Sequence, residues 1–140
     1  MIMLSDFLIC DLKRIKHKDG DLIKGLDRNS PQYTDFGESY YSYVTKGKIK
    51  AWRLHTTITN NIVVVMGKLN INIIDKSKKV KSIIIDSEVP KLLTIYPFTW
   101  YGYEAVGYSD ALIHNITNLP YDEGEIKRSE IKKFDGIWYR

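Results

Sequence analysis

The segment that decides the fold is a long run of β-forming residues interrupted once by glycine, Ile62-Val63-Val64-Val65-Met66-Gly67-Lys68-Leu69-Asn70-Ile71-Asn72-Ile73-Ile74-Asp75. β-Branched residues dominate both halves, as they do in strands. In the second half, Leu69, Ile71 and Ile73 alternate with polar residues, which is typical of an antiparallel strand that buries one face. The segment therefore predicts two consecutive strands that turn at Gly67.

The same kind of pattern recurs on both sides of this segment. Short apolar or alternating stretches follow one another, separated by turn residues, and a single short helix is expected over residues 125–133. The predicted strands cover residues 7–15, 22–26, 38–44, 49–55, 62–66, 68–75, 80–86, 92–95, 100–106 and 111–116. Such a series predicts an all-β protein, either a β-sandwich or a double-sheet jelly roll.

Length and charge narrow the function classes. At 140 residues, the chain is expected to form one domain over residues 1–140. A net charge of +4 from scattered Lys and Arg residues, with no known nucleic-acid-binding module, argues against nucleic acid as a partner. No apolar run approaches the roughly 18 residues that a membrane span needs. The single cysteine, Cys10, and the lack of a signal-peptide pattern predict a cytoplasmic protein.

His55 is the histidine whose setting is most typical of a pocket. It ends the segment Lys50-Ala51-Trp52-Arg53-Leu54-His55, directly before the long β pattern. If this strand is regular, Arg53 and His55 share one face and Lys50 points to the other. Because the ordinary pKa of histidine is about 6.5, His55 suits proton abstraction near neutral pH. We identify His55 as the candidate base; ligand contact and a structural polar role are the alternatives.

Five segments between residues 37 and 125 carry a resemblance to a known family. They are Gly37-Glu38-Ser39-Tyr40-Tyr41-Ser42, Gly47-Lys48-Ile49-Lys50-Ala51-Trp52-Arg53-Leu54-His55, Thr59-Asn60-Asn61-Ile62-Val63-Val64-Val65-Met66-Gly67, Leu93-Thr94-Ile95-Tyr96-Pro97-Phe98-Thr99-Trp100-Tyr101-Gly102-Tyr103, and residues 118–125. Together they resemble the cupin family of dTDP-4-dehydrorhamnose 3,5-epimerase and its shorter relatives among nucleotide-sugar epimerases and isomerases. The segment ending at His55 is similar to the family's Gly-x-x-(Lys/Arg)-x-x-x-x-His stretch.

The resemblance implies a fold and an activity. The fold would be an all-β, cupin-type double-stranded β-helix, or jelly-roll barrel, with a short C-terminal helix. The activity would be epimerisation or isomerisation of a dTDP-4-keto-6-deoxyhexose in surface polysaccharide synthesis, with His55 abstracting a proton next to the ketone. Short cupins of this kind are expected to form homodimers.

The resemblance also gives a substrate-binding set and two departures from the family pattern. The expected ligand contacts are Arg53, Asn61, Trp100, Tyr101, Tyr103 and Asn115. The family's acid is a tyrosine where Asn115 stands, and the classical epimerase has a lysine where Asn60 stands. Because of these two replacements, a non-catalytic cupin that binds a sugar or nucleotide sugar is the alternative function. A structural or regulatory β domain is a third.

Neither a metal nor a redox cofactor is expected. Metal-dependent cupins use a His-x-His pair, whereas His55 is followed by Thr56 and Thr57. A transition metal is usually coordinated by such an imidazole cluster. Of the other two histidines, His17 is predicted to lie in a Lys-rich surface turn and His114 to be a structural histidine on a distant strand.

Overall fold

A computed structural model of the protein describes residues 6–134 and 137. This part of the chain folds into β-strands with two short 3-10 turns, Glu123–Glu125 and Ile131–Lys133. The strands are β1 (Phe7–Asp11), β2 (Arg14–Ile15), β3 (Leu22–Ile23), β4 (Glu38–Val44), β5 (Ile49–His55), β6 (Asn60–Met66), β7 (Lys68–Ile74), β8 (Val80–Asp86), β9 (Lys91–Ile95), β10 (Trp100–Ala105), β11 (Ala111–Thr117) and β12 (Ile126–Arg128).

The strands form two five-stranded sheets and one small hairpin. The first sheet has the order β1-β9-β6-β11-β4, and the second has the order β12-β5-β10-β7-β8. β2 and β3 pair with each other outside both sheets. Every pairing is antiparallel. Apart from the hairpin of β7 and β8, neighbours within each sheet are not consecutive along the chain, as expected of a jelly roll.

The hydrophobic core lies between the inner faces of the two sheets. Side chains at alternating positions of β6 and β7, such as Ile62, Val64, Leu69 and Ile71, are at most 1% exposed. They pack with residues of β4, β9, β10 and β11 in one cluster. The alternation read from the sequence of β7 therefore places its apolar face against the core, as expected of a half-buried strand.

The inner face changes from apolar to polar towards one end of the barrel. On β6, the inward series that includes Val64 and Ile62 ends at Asn60; on β11, Ile113 is followed by Asn115. These amides are as buried as the core residues beside them. Because buried polar groups need partners, this end of the barrel is where a binding site is expected.

A second, smaller apolar cluster covers the outer face of the second sheet. Trp52 and Ile74 pack there against Trp100, Ile131 and Phe134, among others. The Trp52 indole Nε1 donates to the Ile131 carbonyl oxygen at 3.0 Å. The C-terminal segment is therefore attached to the outside of the sheet.

The single helix expected over residues 125–133 is replaced by β12 between the two 3-10 turns. β12 pairs with β5, so its backbone groups bond to a neighbouring strand and not to the next helical turn. The apolar residues Ile126 and Ile131 lie five positions apart, a spacing that does not place two side chains on one helix face. Within the described residues, no helix is long and apolar enough to cross a membrane.

Gly37 is fixed by a close approach of two backbones just before β4. A Cβ atom built on Gly37 would lie 2.0 Å from the backbone carbonyl carbon of Leu119. The Gly37 N–H also donates to the Thr117 carbonyl oxygen at 2.7 Å. The chain before β4 therefore cannot move away without losing this bond.

We expect Gly37→Ala to lower the free energy of unfolding by about 1–3 kcal/mol, because the new methyl group must displace backbone atoms. Urea unfolding measures this change. Gly25→Ala is the matched control, since its added Cβ would meet nothing within 4 Å, and it should change stability by no more than about 0.5 kcal/mol. Equal stabilities for the two variants would contradict this account of Gly37.

Candidate active site

A pocket of about 330 Å³ opens between strand β4, at the edge of the first sheet, and strands β5 and β12, at the edge of the second. Its wall combines a histidine, two arginines, aromatic side chains and an amide. The lining residues are Glu38, Tyr40, Tyr41, Ser42, Arg53, His55, Ile58, Asn60, Thr117, Tyr121, Ile126 and Arg128. The polar end of the barrel interior is therefore open to solvent at this point.

His55 is held by a carboxylate from the C-terminal segment. Its Nδ1 lies 2.5 Å from Glu125 Oε2, and both side chains are about 95% buried. β12 begins directly after Glu125, and its first residue, Ile126, is the register partner of His55. The pairing of β12 with β5 thus brings together two side chains that are 70 positions apart in the sequence.

The turn after β5 holds the other oxygen of this carboxylate. Glu125 Oε1 accepts hydrogen bonds from the backbone N–H groups of Thr57 at 3.0 Å and Ile58 at 2.9 Å, and from the Thr57 hydroxyl at 3.3 Å. The Thr56 hydroxyl and N–H both donate to the Glu125 carbonyl oxygen. All hydrogen bonds to Oε1 come from uncharged N–H and O–H groups. Because hydrogen bonds donated to a carboxyl group favour its charged form, this turn stabilises the ionised carboxylate.

The protonation states of the pair follow from these contacts. Burial alone would raise the pKa of Glu125, but the N–H groups of Ile58 and Thr57 and the contact with His55 lower it below its ordinary value. Burial, helped by the nearby charges of Arg53 and Arg128, lowers the pKa of His55 below its ordinary value, against the opposing effects of the hydrogen bond and the charge of Glu125. At neutral pH the pair is therefore a carboxylate and a neutral imidazole.

This arrangement selects one tautomer of His55. An ionised Glu125 accepts a hydrogen bond from Nδ1–H, which leaves Nε2 with its lone pair. The Tyr101 hydroxyl lies 3.2 Å from Nε2. Burial raises the pKa of Tyr101 well above its ordinary value, so the hydroxyl stays protonated and donates to Nε2. Nε2 is thus the basic atom at this end of the barrel.

Strand β5 is irregular, and the irregularity moves Lys50. Arg53 pairs with Tyr101, but Lys50 pairs with Tyr103, so β5 advances three residues where β10 advances two. A bulge of this kind shifts the alternation by one position. The expectation that Lys50 points away from Arg53 is wrong. Lys50 Nζ donates to Ser42 Oγ at 3.1 Å and to the carbonyl oxygen of residue 43, across the gap on β4.

A second pocket of about 220 Å³ lies along β5 beside the first. Arg53 and Arg128 line both pockets. The lining of the second is completed by Lys50, Ala51, Trp52, Tyr101, Tyr103 and Ser129. Two guanidinium groups and an ammonium group thus lie along one cleft, which suits an anionic ligand such as a phosphate ester.

The Tyr40 hydroxyl is oriented by an amide. Asn115 Nδ2 donates to the Tyr40 hydroxyl oxygen at 2.7 Å, and the two residues are register partners on β4 and β11. Because this bond uses an acceptor position of the hydroxyl, its proton is free to be donated elsewhere. Burial raises the pKa of Tyr40 and keeps the hydroxyl protonated at neutral pH. Tyr40 is therefore a hydrogen-bond donor in the wall of the first pocket.

The sequence-predicted site residues do not all meet. His55 and Arg53 line the first pocket, Tyr101 and Tyr103 line the second, and Asn115 lies behind Tyr40. The other two, Asn61 and Trp100, are on the outer faces of their sheets.

Strand alternation explains both of these outer positions. Asn61 follows the inward Asn60, and its side chain bonds to Thr94 Oγ1 and to the Ile116 carbonyl oxygen. Trp100 precedes the inward Tyr101 and packs against Phe134, with their ring centroids 6.2 Å apart. Since successive side chains of a strand point to opposite faces, neither residue reaches the pocket.

Three residues of the site were not singled out from the sequence: Tyr40 and Arg128, which line the first pocket, and Glu125, which holds His55. Glu125 directly precedes the three-residue strand β12, and Arg128 is its last residue. Because the sequence predicts a helix over these residues, no local pattern indicates that either one meets β5. Tyr40 was one of several tyrosines in an aromatic set. Its alternation with Ser42 and Val44 was the available signal, since Val44 is an apolar residue on the same face.

Within residues 6–134 and 137, no group of three or more His, Cys, Asp or Glu side chains is placed to hold a metal ion. Glu125 is the only acidic side chain that contacts His55 among these residues.

Two facing antiparallel sheets with a polar pocket at one end of the barrel define an all-β jelly roll of the cupin type. No family model matches the sequence, and a search of curated proteins gives no match. Among solved structures, the protein is similar to a dTDP sugar isomerase from Desulfovibrio desulfuricans, with a TM-score of 0.85 and 27% sequence identity. That match covers 94% of this chain and 90% of the other.

Two further solved structures share the fold. One is QdtA, a sugar 3,4-ketoisomerase from Thermoanaerobacterium thermosaccharolyticum in complex with TDP, with a TM-score of 0.76, 20% identity, and coverage of 91% and 90% of the two chains. The other is the dTDP-6-deoxy-D-glucose-3,5-epimerase RmlC from Legionella pneumophila in complex with dTDP-4-keto-L-rhamnose, with a TM-score of 0.80, 14% identity, and coverage of 91% and 74%. These similarities confirm the resemblance to the RmlC-like cupins.

The protonation of the His55–Glu125 pair can be measured directly. In an NMR titration, we expect His55 to lose its proton with a midpoint below its ordinary value of 6.5. Glu125→Gln should lower the midpoint further, since it removes the charge that raises the pKa of His55. His114 is the internal control, because burial lowers its pKa and Glu125 is not among the causes. A rise of the His55 midpoint in Glu125→Gln would contradict the assigned charges.

The same shift sets a pH dependence of stability. Because the pKa of His55 is lower in the folded state, the unfolded state binds the proton more tightly. The contribution of His55 to stability is therefore present above pH 6.5, the ordinary value, and is lost as the pH falls through the folded-state pKa.

Proposed function

We propose that the protein is a nucleotide-sugar epimerase or isomerase that acts on a dTDP-4-keto-6-deoxyhexose, with His55 as the base. The observation that carries the proposal is the neutral His55, whose Nδ1 is held by Glu125 in a pocket beside two arginines. The similarity to dTDP-sugar isomerases and epimerases supports the ligand class. We also propose that residues 1–140 form one domain. The protein would act in the cytoplasm, in surface polysaccharide synthesis.

The proposed first step is removal of a proton from the carbon next to the sugar ketone. His55 Nε2 takes the proton, and the electrons of the C–H bond move to the ketone oxygen to give an enolate. Glu125 stabilises the imidazolium that forms, as a carboxylate does when it is bound to the other ring nitrogen. Since Nε2 receives a hydrogen bond from Tyr101 in the free protein, the substrate must displace that hydroxyl.

The enolate needs a donor near its oxygen, and the second proton transfer needs an acid. Tyr40 suits either task, since its hydroxyl is protonated and is oriented by Asn115. Return of a proton to the opposite face of the same carbon gives the epimer. To move the ketone instead, the enolate oxygen takes a proton from the acid to give an enediol; the hydroxyl on the deprotonated carbon then gives up its proton and becomes the new ketone, while His55 returns its proton to the former ketone carbon. Arg53 suits the diphosphate, because a planar guanidinium group binds phosphate oxygens in pairs. Arg128 now binds the Glu123 carboxylate in this way and would exchange it for the phosphate.

A binding protein without turnover is the second candidate. The observation that favours it is the Tyr101 hydroxyl on His55 Nε2, which occupies the atom that would act as the base. Asn60 and Asn115, at the positions of the family's lysine and tyrosine, point the same way. Under this alternative, the protein binds a nucleotide sugar and exchanges none of its carbon-bound protons.

Solvent exchange separates the two candidates. When the protein is incubated with dTDP-4-keto-6-deoxyglucose in deuterium oxide, we expect deuterium to appear at a carbon next to the ketone. His55→Asn should slow this exchange by about 10²–10⁴-fold, the usual contribution of a general base. His114→Asn is the matched control, because His114 lies on the outer face of the first sheet, stacked on Tyr41.

Mass spectrometry of the recovered sugar gives the readout. Exchange at the wild-type rate in His55→Asn would mean that another residue is the base. Binding of the nucleotide sugar without any exchange would leave the binding protein as the function. Calorimetry on the same samples distinguishes that result from a failure to bind.

We further propose that the protein is a homodimer. Strands β1, β4, β8 and β12 end the two sheets, and within residues 6–134 and 137 each has a strand neighbour on one side only. An open antiparallel edge is a liability unless it is paired or covered. β4 also exposes the apolar rings of Tyr41 and Tyr43, which are 64% and 63% exposed.

Sedimentation equilibrium at micromolar concentration should give about twice the chain mass of 16.3 kDa. Tyr43→Lys should lower the dimer fraction if the β4 edge is part of the interface, since a charge at an apolar contact is costly to desolvate. A 16.3 kDa species at all concentrations would contradict the dimer.

A further inference from the structure

Two buried amides face each other at the polar end of the barrel. Asn60 begins β6 and Asn115 lies on β11, and they are 1% and 4% exposed. Asn115 Nδ2 donates to Asn60 Oδ1 at 2.8 Å, and its other bond goes to the Tyr40 hydroxyl oxygen at 2.7 Å. Both hydrogens of this amide nitrogen are therefore used.

This arrangement leaves two amide atoms without a partner. Asn60 Nδ2 and Asn115 Oδ1 are buried and have no hydrogen bond within the described residues. A buried polar atom without a hydrogen-bond partner lowers the stability of the folded state. A ligand that supplies the missing hydrogen bond would explain why such an atom is present. Asn60 lines the same pocket as His55, so a ligand in that pocket would lie against this residue.

We propose that Asn60 determines sugar specificity by donating a hydrogen bond from Nδ2 to an uncharged keto or hydroxyl oxygen of the bound sugar. Asn115 is the positioning residue, because its amide nitrogen holds Asn60 Oδ1 and so fixes the orientation of the Asn60 amide. This inference rests on the proposed nucleotide-sugar function. It adds that the pocket recognises a keto or hydroxyl oxygen of the sugar.

The amide pair differs chemically from the cations of the cleft. It carries no charge, so it adds nothing to the attraction of Arg53 and Arg128 for a diphosphate. Its free donor also discriminates among sugars. A ketone or hydroxyl oxygen can accept from Nδ2, whereas the ammonium group of an amino sugar at that position would bring donor against donor.

Asn60→Asp changes this donor with little change of shape. A carboxylate oxygen still accepts from Asn115 Nδ2, but the free N–H group becomes an acceptor. Isothermal titration calorimetry with dTDP-4-keto-6-deoxyglucose and with dTDP alone measures the part of the affinity that comes from the sugar. In the wild type we expect the nucleotide sugar to bind more tightly than dTDP. Asn60→Asp should reduce the ratio of the two affinities by about tenfold or more.

Asn60→Ala should reduce the ratio in the same direction, and it brings no charge into the pocket. Asn61→Ala is the matched control, since the Asn61 side chain lies on the outer face of β6, and its ratio should stay within about twofold of the wild type. Circular dichroism identifies the folded variants, and Asn60→Ser replaces either Asn60 variant that does not fold.

The positioning role of Asn115 has its own readout. Because Asn115 also holds the Tyr40 hydroxyl, the comparison is made in a Tyr40→Phe background, which lacks that hydroxyl. There, Asn115→Leu should lower the ratio of affinities when Asn60 is present and change it much less when Asn60 is already alanine. Equal effects with and without the Asn60 side chain would overturn the positioning role.

The outcomes separate this inference from the proposed function. If the wild type binds neither dTDP nor the nucleotide sugar, the proposed function fails and this inference fails with it. If the wild type binds the nucleotide sugar more tightly than dTDP, and the folded Asn60 variants keep that ratio, the inference alone is overturned. A tenfold loss of the ratio in both Asn60→Asp and Asn60→Ala supports it.

Discussion

The contact between His55 and Glu125 is the interaction on which the candidate site depends. It fixes the tautomer of the imidazole, and it attaches the C-terminal segment to β5 at the mouth of the barrel. The carboxylate can stay ionised in a buried place because the turn after β5 supplies backbone N–H donors to its other oxygen. Without those donors, desolvation would favour the protonated acid.

The rest of the site follows from how the inner face of the barrel changes along its strands. Apolar side chains fill most of the interior, and the amides, the tyrosines and His55 occupy the end where the strands of the two sheets separate. The bulge in β5 then adds Lys50 to the side that already carries Arg53. A packed core holds these groups, so their positions are set before any ligand arrives.

Alternation of apolar and polar residues predicted most of the strands, because one face of each strand is buried in a continuous core. It also predicted that Arg53 and His55 share a face. It did not predict the side of Lys50, since a bulge depends on how β5 pairs with β10 and leaves no mark on β5 itself. The outer positions of Asn61 and Trp100 follow from the same alternation, once Ile62 and Tyr101 are recognised as inward.

The role of Glu125 could not be predicted from local sequence patterns. Its partner, His55, lies 70 residues away in the sequence. The strand that directly follows Glu125, β12, has only three residues and is too short to show an alternation of apolar and polar residues. The resemblance to nucleotide-sugar cupins includes the loop that contains Glu125, but it implies no role for this residue. Only the pairing of β12 with β5 gives the histidine its carboxylate, and with it a defined protonation state.

A crystal structure of the His55→Asn variant with dTDP-4-keto-6-deoxyglucose tests the central claim most directly, since the variant cannot consume the sugar by the proposed route. We predict that the sugar ring occupies the pocket between β4 and β5, with a carbon next to the ketone about 3–4 Å from the side chain at position 55, the distance of a near-attack geometry. A sugar bound on an outer face of the barrel, or with its ketone turned away from that side chain, would contradict the account.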